Sequence, residues 1–396
     1  MTSLRRRILA AIVLGALTVR VGFVLTREDR YYFPDSLQYA GIAKNLLARG
    51  DLSYDDDHRA CRGPGYPVFL AGCFALFGES RPAVRLVQAV IGAATCLIVF
   101  ALARVLFGEA AGLLAAAFTA LYPFFVFYAA LELSETLFIT ALAGAVLLMQ
   151  LVERGRWWLV AAGVAAGITI LIRPSALVLM PVLGAAWALR RPVRRHAFEA
   201  VVVVLIAWAC VVPWTWRNYR VFGHFVPMTL TTGESLYEAN SPYATGGPAM
   251  DIIPWHAEAK RLTEYERDRY YQRLATDWIR ANPGRFLRLA AVKIGRFWNV
   301  VPNDVKHRSR PLMAISVLGY VPVMLLAVGG MVVFRRRWRE LALLLAPAAY
   351  FSVLHAVFVG SIRYREPVMP FLIVLAGVGA AAMLSWLRVV KSPRGR

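Results

Sequence analysis

Residues 31–67 read YYFPDSLQYAGIAKNLLARGDLSYDDDHRACRGPGYP, and they form the polar centre of a chain that is otherwise mostly apolar. The stretch joins a Pro34-Asp35 turn, a short amphipathic segment, an acidic cluster and a rigid Gly-Pro-Gly elbow that follows Arg62. Polar groups at this density need water or partners, because each unpaired polar group costs several kcal/mol in hydrocarbon. We therefore expect a water-accessible loop that forms an active site between membrane spans.

The composition of the whole chain is typical of a helical membrane protein. Of its 396 residues, 59% are hydrophobic, and apolar runs of about 20 residues, the length that crosses a bilayer, recur along the chain. A soluble helical domain does not show this pattern. The formal charge of +21 does not indicate nucleic-acid binding, because the arginines cluster at the ends of apolar runs, where they set topology and contact lipid headgroups.

The apolar runs predict ten membrane spans with both termini in the cytoplasm. The first run follows three arginines and lacks a small-residue cleavage site, so we interpret it as an uncleaved span that ends near Thr26. The other nine runs are 82–105, 110–130, 135–152, 157–172, 175–190, 197–216, 311–334, 340–360 and 367–387. Residues 66–77 are too short to cross upright. Leaving them as a re-entrant or interfacial helix keeps the arginine clusters at 190–195 and 335–339 inside, as the positive-inside rule requires.

This topology divides the chain into three segments. Residues 1–216 form an N-terminal transmembrane module that carries the first external loop, residues 27–81. Residues 217–310 form an external segment, and residues 311–396 form the C-terminal transmembrane helices. Within the external segment, residues 282–299 predict an amphipathic helix whose basic face suits the membrane interface; simple docking on the bundle is the alternative.

Asp35 and Arg62 are the first candidates for chemistry. A carboxylate at the start of a helix can be no more than an N-cap. An acid and a guanidinium fixed in one loop, however, suit a reaction that deprotonates a hydroxyl and stabilises a departing phosphate. We therefore predict Asp35 as a catalytic base and Arg62, with Tyr66 in the same elbow, as substrate-binding residues.

Further polar residues are predicted at the same outer depth. Carboxylates at membrane depth are costly and usually functional, and two arginines packed with a tyrosine in a short turn are typical of a phosphate clamp. For the arginines that end single spans, snorkelling to the lipid headgroups is the alternative. The substrate-binding candidates from these places are Glu132, Glu135, Arg173, Arg217, Arg363, Tyr364 and Arg365.

A metal is an open alternative and not a firm prediction. Asp35 with Glu132 and Glu135 can hold a divalent cation, but no histidine joins them. The run Asp55 to Asp57 predicts a solvated acidic turn instead of a metal motif.

Six motifs in this order resemble the GT-C class of membrane glycosyltransferases. They are FPDSLQYAGIAKNLLARGDLSY, RGPGYPVFLAGCFALFG, LSETLF, IRPSAL, PWTWRNYRVFGHFVP and RYREPVMPFL. Within the class they are most similar to the bacterial branch related to protein O-mannosyltransferases and lipid A aminoarabinose transferases. The resemblance covers nearly the whole chain.

The resemblance implies an inverting transfer of a sugar from a polyprenyl-phosphate donor to an acceptor hydroxyl on a glycan, glycolipid or protein. It also implies a bacterial inner-membrane protein whose active site faces the periplasm. Asp35 matches the catalytic carboxylate, and Arg62 matches the cation before the elbow. Glu135 matches an acidic position, and Arg363 and Arg365 match a basic motif near the last external turn.

One departure from the family pattern concerns the metal, and three other functions stay open. Cys61 and Gly63 stand where related enzymes often carry a second acid and a proline, so a shared metal would lack that ligand.

The alternative functions are a polymerase or ligase of lipid-linked oligosaccharides, a transporter or flippase of a lipid-linked sugar, and a non-catalytic assembly subunit. A transporter is expected to show internal repeats, and the sequence shows no convincing one.

Overall fold

The structure, a computed structural model, describes residues 1–248, 250, 253–303 and 308–391, with side chains described up to residue 387. The predicted segments 217–310 and 311–396 therefore include residues outside the described ranges. Within these ranges the regular elements are helices and no strand forms, so the predicted all-α class is confirmed. The helices are α1 Ser3–Leu25, α2 Pro34–Arg49, α3 Gly65–Phe77, α4 Arg81–Phe107, α5 Glu109–Leu121, α6 Pro123–Ala129, α7 Glu135–Leu151, α8 Trp157–Ile172, α9 Ala176–Ala188, α10 Val193–Phe222, α11 Thr232–Ala239, α12 Glu264–Ala281, α13 Pro283–Phe297, α14 Arg310–Val333, α15 Trp338–Val357, α16 Ile362–Arg365 and α17 Met369–Lys391.

The helix lengths confirm a multi-pass membrane protein. Among the described residues, seven helices are long and apolar enough to cross a membrane, or eight if α5 and α6 are one span bent by 54°. Helices α8 and α9 are shorter but apolar, and they fill the remaining predicted blocks, so the architecture is consistent with about ten spans. Helix α3 is also short and apolar, as expected for a segment that does not cross upright.

The break between α5 and α6 has a local cause and a buried partner. Tyr122 adopts an extended conformation before Pro123, as the ring of a following proline requires. From α1, Arg20 donates from Nη1 to the Ala120 carbonyl oxygen at 3.0 Å and from Nη2 to that of Thr119 at 3.1 Å. A guanidinium thus satisfies the carbonyl groups that the end of α5 leaves without helical partners.

The last span is the centre of the bundle. The span at 362–387 is 72% buried, whereas that of α1 is 17% buried. Helices α14 and α17 approach closely through glycines, since a Cβ atom on Gly330 would lie 2.1 Å from the Leu375 carbonyl oxygen. The contact holds α17 against α14, and the turn at 361–366 that carries the predicted basic motif leads into α17.

The external segment packs on the first loop. The Glu264 carboxylate, in α12, accepts hydrogen bonds from the backbone N–H groups of Arg59 at 2.6 Å and Ala60 at 3.1 Å. The Leu230 N–H donates to the Ala60 carbonyl oxygen at 3.0 Å. Burial raises the pKa of Glu264, and the two backbone donors offset part of that rise. The segment therefore braces the loop that leads to Arg62.

Helix α13 docks on the protein through part of its basic face. Lys293 is fully buried, and its Nζ donates to Asn240 Oδ1 at 2.8 Å and to the Val357 carbonyl oxygen at 2.9 Å. Apolar Leu287 and Ile294 are exposed instead. Lys293 therefore favours the alternative of docking on the bundle, because its ammonium group finds acceptors inside the protein.

Candidate active site

Asp35 is the second residue of α2, and its carboxylate lies between two arginines. Its Oδ1 accepts a hydrogen bond from Arg62 Nη2 at 2.6 Å, and its Oδ2 lies 2.9 Å from Arg363 Nη1. The N-cap position is Phe33, which makes no side-chain capping bond to any described residue. The contacts of Asp35 are therefore ion pairs, and an N-cap role does not describe them.

The elbow that carries Arg62 is pressed against the end of α8. A Cβ atom on Gly63 would lie 2.7 Å from the Leu171 carbonyl oxygen, and one on Gly65 would lie 2.7 Å from the Ile172 nitrogen. Only glycine allows two backbones to approach this closely. The contact holds the elbow that follows Arg62 against the end of α8, and Arg173 follows α8 directly.

Side chains of α2 hold the Arg62 guanidinium in place. Arg62 Nε donates to Gln38 Oε1 at 2.8 Å, and the guanidinium carbon lies 5.3 Å from the centroid of the Tyr39 ring. Gln38 and Tyr39 stand three and four residues after Asp35, on the same side of the helix. One face of α2 thus supplies both the carboxylate and the support for its partner.

Glu135 forms the second half of the cluster. Its Oε1 pairs with Arg363 Nε and lies 2.6 Å from Arg173 Nη2. Glu135 is fully buried, and its Oε2 has no hydrogen-bond partner among the described residues. Arg173 Nε also donates to Ser134 Oγ at 2.8 Å. Arg363 therefore bridges the two carboxylates and joins the halves into one network.

The network carries an excess of one positive charge, since three guanidinium groups face two carboxylates. Burial alone would raise the pKa of Asp35, but Arg62 and Arg363 outweigh it and lower that pKa to about 2. Burial opposes the charge on Arg62, but Asp35 raises the pKa of Arg62 above its usual value. A partly buried cationic cluster of this kind suits an anionic ligand.

Arg365 lies outside this cluster, contrary to prediction. Its side chain is fully buried, its guanidinium carbon stands 3.8 Å from the centroid of the Tyr320 ring, and its Nη1 donates to the Asn299 carbonyl oxygen at 2.6 Å. Its nearest recorded carboxylate is Glu366, at 3.7 Å. In a helical turn, side chains two residues apart point to different sides, so Arg363 reaches Asp35 and Arg365 does not.

Glu132 and Tyr66 also form hydrogen bonds with residues outside this cluster. Glu132 is buried and accepts from Arg85 Nε at 2.6 Å, and burial raises its pKa against the opposing effect of Arg85. Tyr66 is fully buried and donates to Gln88 Oε1 at 2.8 Å. Both polar groups have partners outside the Asp35–Glu135 network, and substrate contact by Glu132 and Tyr66 stays a prediction.

Arg217 and Tyr364 lie at the margins of the site. Arg217 donates to the Arg59 carbonyl oxygen at 2.7 Å and to Ser53 Oγ at 2.8 Å, so it organises the first loop. Tyr364 stacks on His355 with ring centroids 4.4 Å apart. Neither residue has a recorded hydrogen bond or ion pair to Asp35 or Glu135 in the described ranges.

The three carboxylates named for a divalent cation do not share a site. Glu132 pairs with Arg85, whereas Asp35 and Glu135 pair with other arginines. Within the described residues no group of three or more His, Cys, Asp or Glu side chains stands close enough to hold a metal. The residues present do not fit the cation. Asp55, Asp56 and Asp57 are exposed, as predicted for a solvated turn.

Sequence reasoning missed Gln38, Tyr39 and Ser134 as members of the site. The Tyr39 hydroxyl lies 3.4 Å from Ser134 Oγ, which links α2 to the turn before α7. Helical spacing from Asp35 was the available signal for Gln38 and Tyr39. For Ser134 the signal was its position beside Glu135.

Comparisons with known proteins show which family and which solved structures this chain resembles. The family model described as dolichyl-phosphate-mannose-protein mannosyltransferase matches residues 61–216, a range that includes Arg62, Glu135 and Arg173. A search of curated proteins found no significant sequence match to the chain.

Solved structures extend the likeness to the whole chain. An archaeal oligosaccharyltransferase, AglB from Archaeoglobus fulgidus in complex with an inhibitory peptide and a dolichol-phosphate, has a TM-score of 0.62 at 15% identity over 100% of this chain and 52% of its own. The same organism's enzyme tethered to an acceptor peptide has a TM-score of 0.63 at 13% identity over 99% and 51%. ArnT from Cupriavidus metallidurans bound to undecaprenyl phosphate has a TM-score of 0.47 at 16% identity over 98% and 80%.

The chain has the fold of the GT-C class of membrane glycosyltransferases, and the resemblance carried by the six ordered motifs is confirmed. At these identities the likeness establishes the fold alone. The chain spans about half the length of the archaeal structures that it matches.

Proposed function

We propose that the protein is an inverting glycosyltransferase that moves a sugar from a polyprenyl-phosphate donor to an acceptor hydroxyl. The observation that carries this proposal is the carboxylate of Asp35 held between Arg62 and Arg363 in a cluster with an excess of positive charge. The matched family is described by a dolichyl-phosphate sugar donor, and the archaeal neighbour was solved with a dolichol-phosphate. Both descriptions support a lipid-phosphate donor for this chain.

The donor phosphate is proposed to bind Arg62 and Arg363. Guanidinium groups form paired hydrogen bonds with phosphate oxygens. Arg62 and Arg363 are far apart in the sequence, but both contact the Asp35 carboxylate. A bound phosphate competes with Asp35 for them. As the two ion pairs loosen, the pKa of Asp35 rises from about 2 toward the range in which a carboxylate is an effective base.

The transfer then proceeds by a single displacement. The acceptor oxygen attacks the anomeric carbon while Asp35 takes the hydroxyl proton. The bond between the anomeric carbon and the phosphate oxygen breaks, and its electron pair leaves with the polyprenyl phosphate. Arg62 and Arg363 neutralise the charge that develops on that leaving group, and such preorganised donors contribute several kcal/mol in a partly desolvated site. Attack opposite the leaving group inverts the anomeric carbon.

Glu135 and Arg173 are proposed as positioning residues. Glu135 is fully buried and holds Arg363 on one side and Arg173 on the other. The pairing fixes the direction of Arg363 toward Asp35 and limits its movement when phosphate binds.

The orientation is a further part of the proposal. The site is proposed to face the periplasm of a bacterial inner membrane, because the arginine-rich loops at the other ends of the spans favour the cytoplasm. A reporter fused after Arg195 is expected to give a cytoplasmic signal and one inserted near Gly247 an external signal. An external signal after Arg195 would contradict this orientation.

Mass spectrometry of envelope glycans, from cells with and without the gene, tests the activity. Loss of the gene is expected to remove one sugar from an envelope glycan, glycolipid or protein and to increase its polyprenyl-phosphate form. A copy with Asp56→Asn, which alters an exposed carboxylate, should restore the glycan, and a copy with Asp35→Asn should not. Unchanged glycans and lipid-linked sugars in cells without the gene would contradict the proposal.

A further inference from the structure

A polar cavity lies at the other end of the bundle from Asp35. Glu135 begins α7 at the candidate active site, whereas Gln150, near the end of the same helix, lines this cavity. At 1.5 Å per helical residue the two places are about 22 Å apart. The cavity has a volume of about 430 Å³ and lies among the ends of α4, α7, α9 and α15.

Arginines dominate the lining of this cavity. Five arginines face two glutamates, Glu153 and Glu340; the arginines are Arg190, Arg191, Arg336, Arg337 and Arg339. The glutamates neutralise only part of this charge, with Glu153 3.7 Å from Arg190 Nη1 and Glu340 3.3 Å from Arg337 Nη2. An excess of three positive charges remains, which favours an anionic occupant.

Buried donors without partners point to the same kind of occupant. Gln150 is 5% exposed, and its Nε2 has no hydrogen-bond partner among the described residues. The Nε atoms of Arg190 and Arg339 are also buried and without partners in the described part of the chain. An unsatisfied buried donor costs about 1–3 kcal/mol. A ligand with several acceptor oxygens would satisfy these donors.

The size and surroundings of the cavity favour a lipid as the ligand that supplies these acceptor oxygens. Its volume is far larger than one phosphate group needs. Val105 and Trp338 line it and are 37% and 49% exposed, and Val333 nearby in sequence is 53% exposed. In a bilayer these apolar surfaces contact acyl chains, while basic pockets between spans bind anionic headgroups.

We propose that this cavity binds the phosphate ester headgroup of an anionic membrane lipid. The arginines and Gln150 hold the phosphate oxygens, and the acyl chains lie along the exposed apolar faces beside Val105 and Trp338. The site is separate from the candidate active site and does not depend on the proposed transferase activity.

The test is native mass spectrometry of the full-length protein titrated with phosphatidylglycerol and with zwitterionic phosphatidylcholine. The variant is Arg191→Gln with Arg336→Gln, two lining residues that have no recorded hydrogen bond or ion pair within the described ranges. The matched control is Arg156→Gln with Arg194→Gln, which removes the same charge from two exposed arginines, one in the turn before α8 and one in the first turn of α10. A second variant, Gln150→Met, removes a buried donor with little change in volume.

The unaltered protein is expected to retain phosphatidylglycerol at least about tenfold more tightly than phosphatidylcholine. The lining variant and Gln150→Met should lose most of this preference, and the control should keep it. Equal losses of this lipid preference in the lining variant and in the control would indicate general electrostatic attraction between the basic protein surface and anionic lipid, and would overturn the proposal. Competition by inorganic phosphate or glycerol phosphate at equal concentration would overturn the lipid assignment in favour of a soluble phosphate ester.

Discussion

Arg363 Nη1 lies 2.9 Å from Asp35 Oδ2, which joins the start of the first external loop to the turn before the last span. The same arginine pairs through Nε with Glu135. Arg363 is therefore the residue through which three distant parts of the chain form one site. Because the last span is the most deeply buried of the long helices described, the arginine is held on a rigid support.

Lysine in place of Arg62 or Arg363 should weaken donor use although the charge is kept. Each guanidinium contacts two side-chain partners at once, and an ammonium group on a flexible stem cannot reproduce that geometry. We expect kcat/KM for the lipid donor to fall by at least about tenfold in each variant. The control is Arg59→Lys, since among the described residues the Arg59 side chain pairs with Asp56 alone, and that pair is exposed. Native kinetics in both lysine variants would remove these arginines from the donor site.

The acidic limb of the pH profile should differ between kcat and kcat/KM. In the free protein the pKa of Asp35 is about 2, so its base form persists as pH falls until near that value. In the donor complex, phosphate oxygens compete with Asp35 for Arg62 and Arg363, so the pKa of Asp35 rises and its base form is lost at a higher pH. Because kcat reports the complex and kcat/KM the free protein, the acidic limb of kcat is expected at the higher pH. Coincident limbs would contradict the exchange of partners.

Alanine at Gly63 should damage the site through the backbone. The added Cβ would lie 2.7 Å from the Leu171 carbonyl oxygen, so the elbow must move and Arg62 with it. We expect turnover to fall by about a hundredfold, since small misplacements of positioned groups have effects of this order. Gly72→Ala is the control, because among the described residues no atom outside the nearby backbone of its own helix lies within 4 Å of the Cβ that alanine would add, and alanine favours the helix. Equal activity in the two variants would argue against the elbow as the support of Arg62.

Much of the fold follows from patterns that the sequence displays. Apolar runs locate the spans, because length and hydropathy are sufficient for a helix in lipid. The break at Tyr122 was missed inside the run 110–130, although Pro123 signals it. Its buried partner, Arg20, was beyond sequence reasoning, because the contact depends on how α1 packs against α5.

The types of residue in the candidate site could be predicted from the sequence, but which individual residues belong to it could be predicted only in part. Asp35, Arg62, Glu135, Arg173 and Arg363 are polar groups at the ends of apolar runs, and the structure brings all five together. Arg365 and Glu132 carry the same signal, yet they pair elsewhere. The direction of each side chain depends on helical phase within short turns, and a sequence without coordinates does not fix that phase.

The central claim is that Asp35 is the base of a sugar transfer, and Asp35→Asn tests it most directly. Asparagine keeps nearly the same shape and can still accept a hydrogen bond from Arg62, but it cannot take the acceptor proton. The measurement pairs donor binding with single-turnover transfer on the same purified variant, with thermal unfolding as the control for folding. The proposed role predicts that donor binding persists while transfer falls by at least about a hundredfold. Transfer at close to the native rate by the folded variant would contradict the claim and leave Asp35 a structural partner of Arg62 and Arg363.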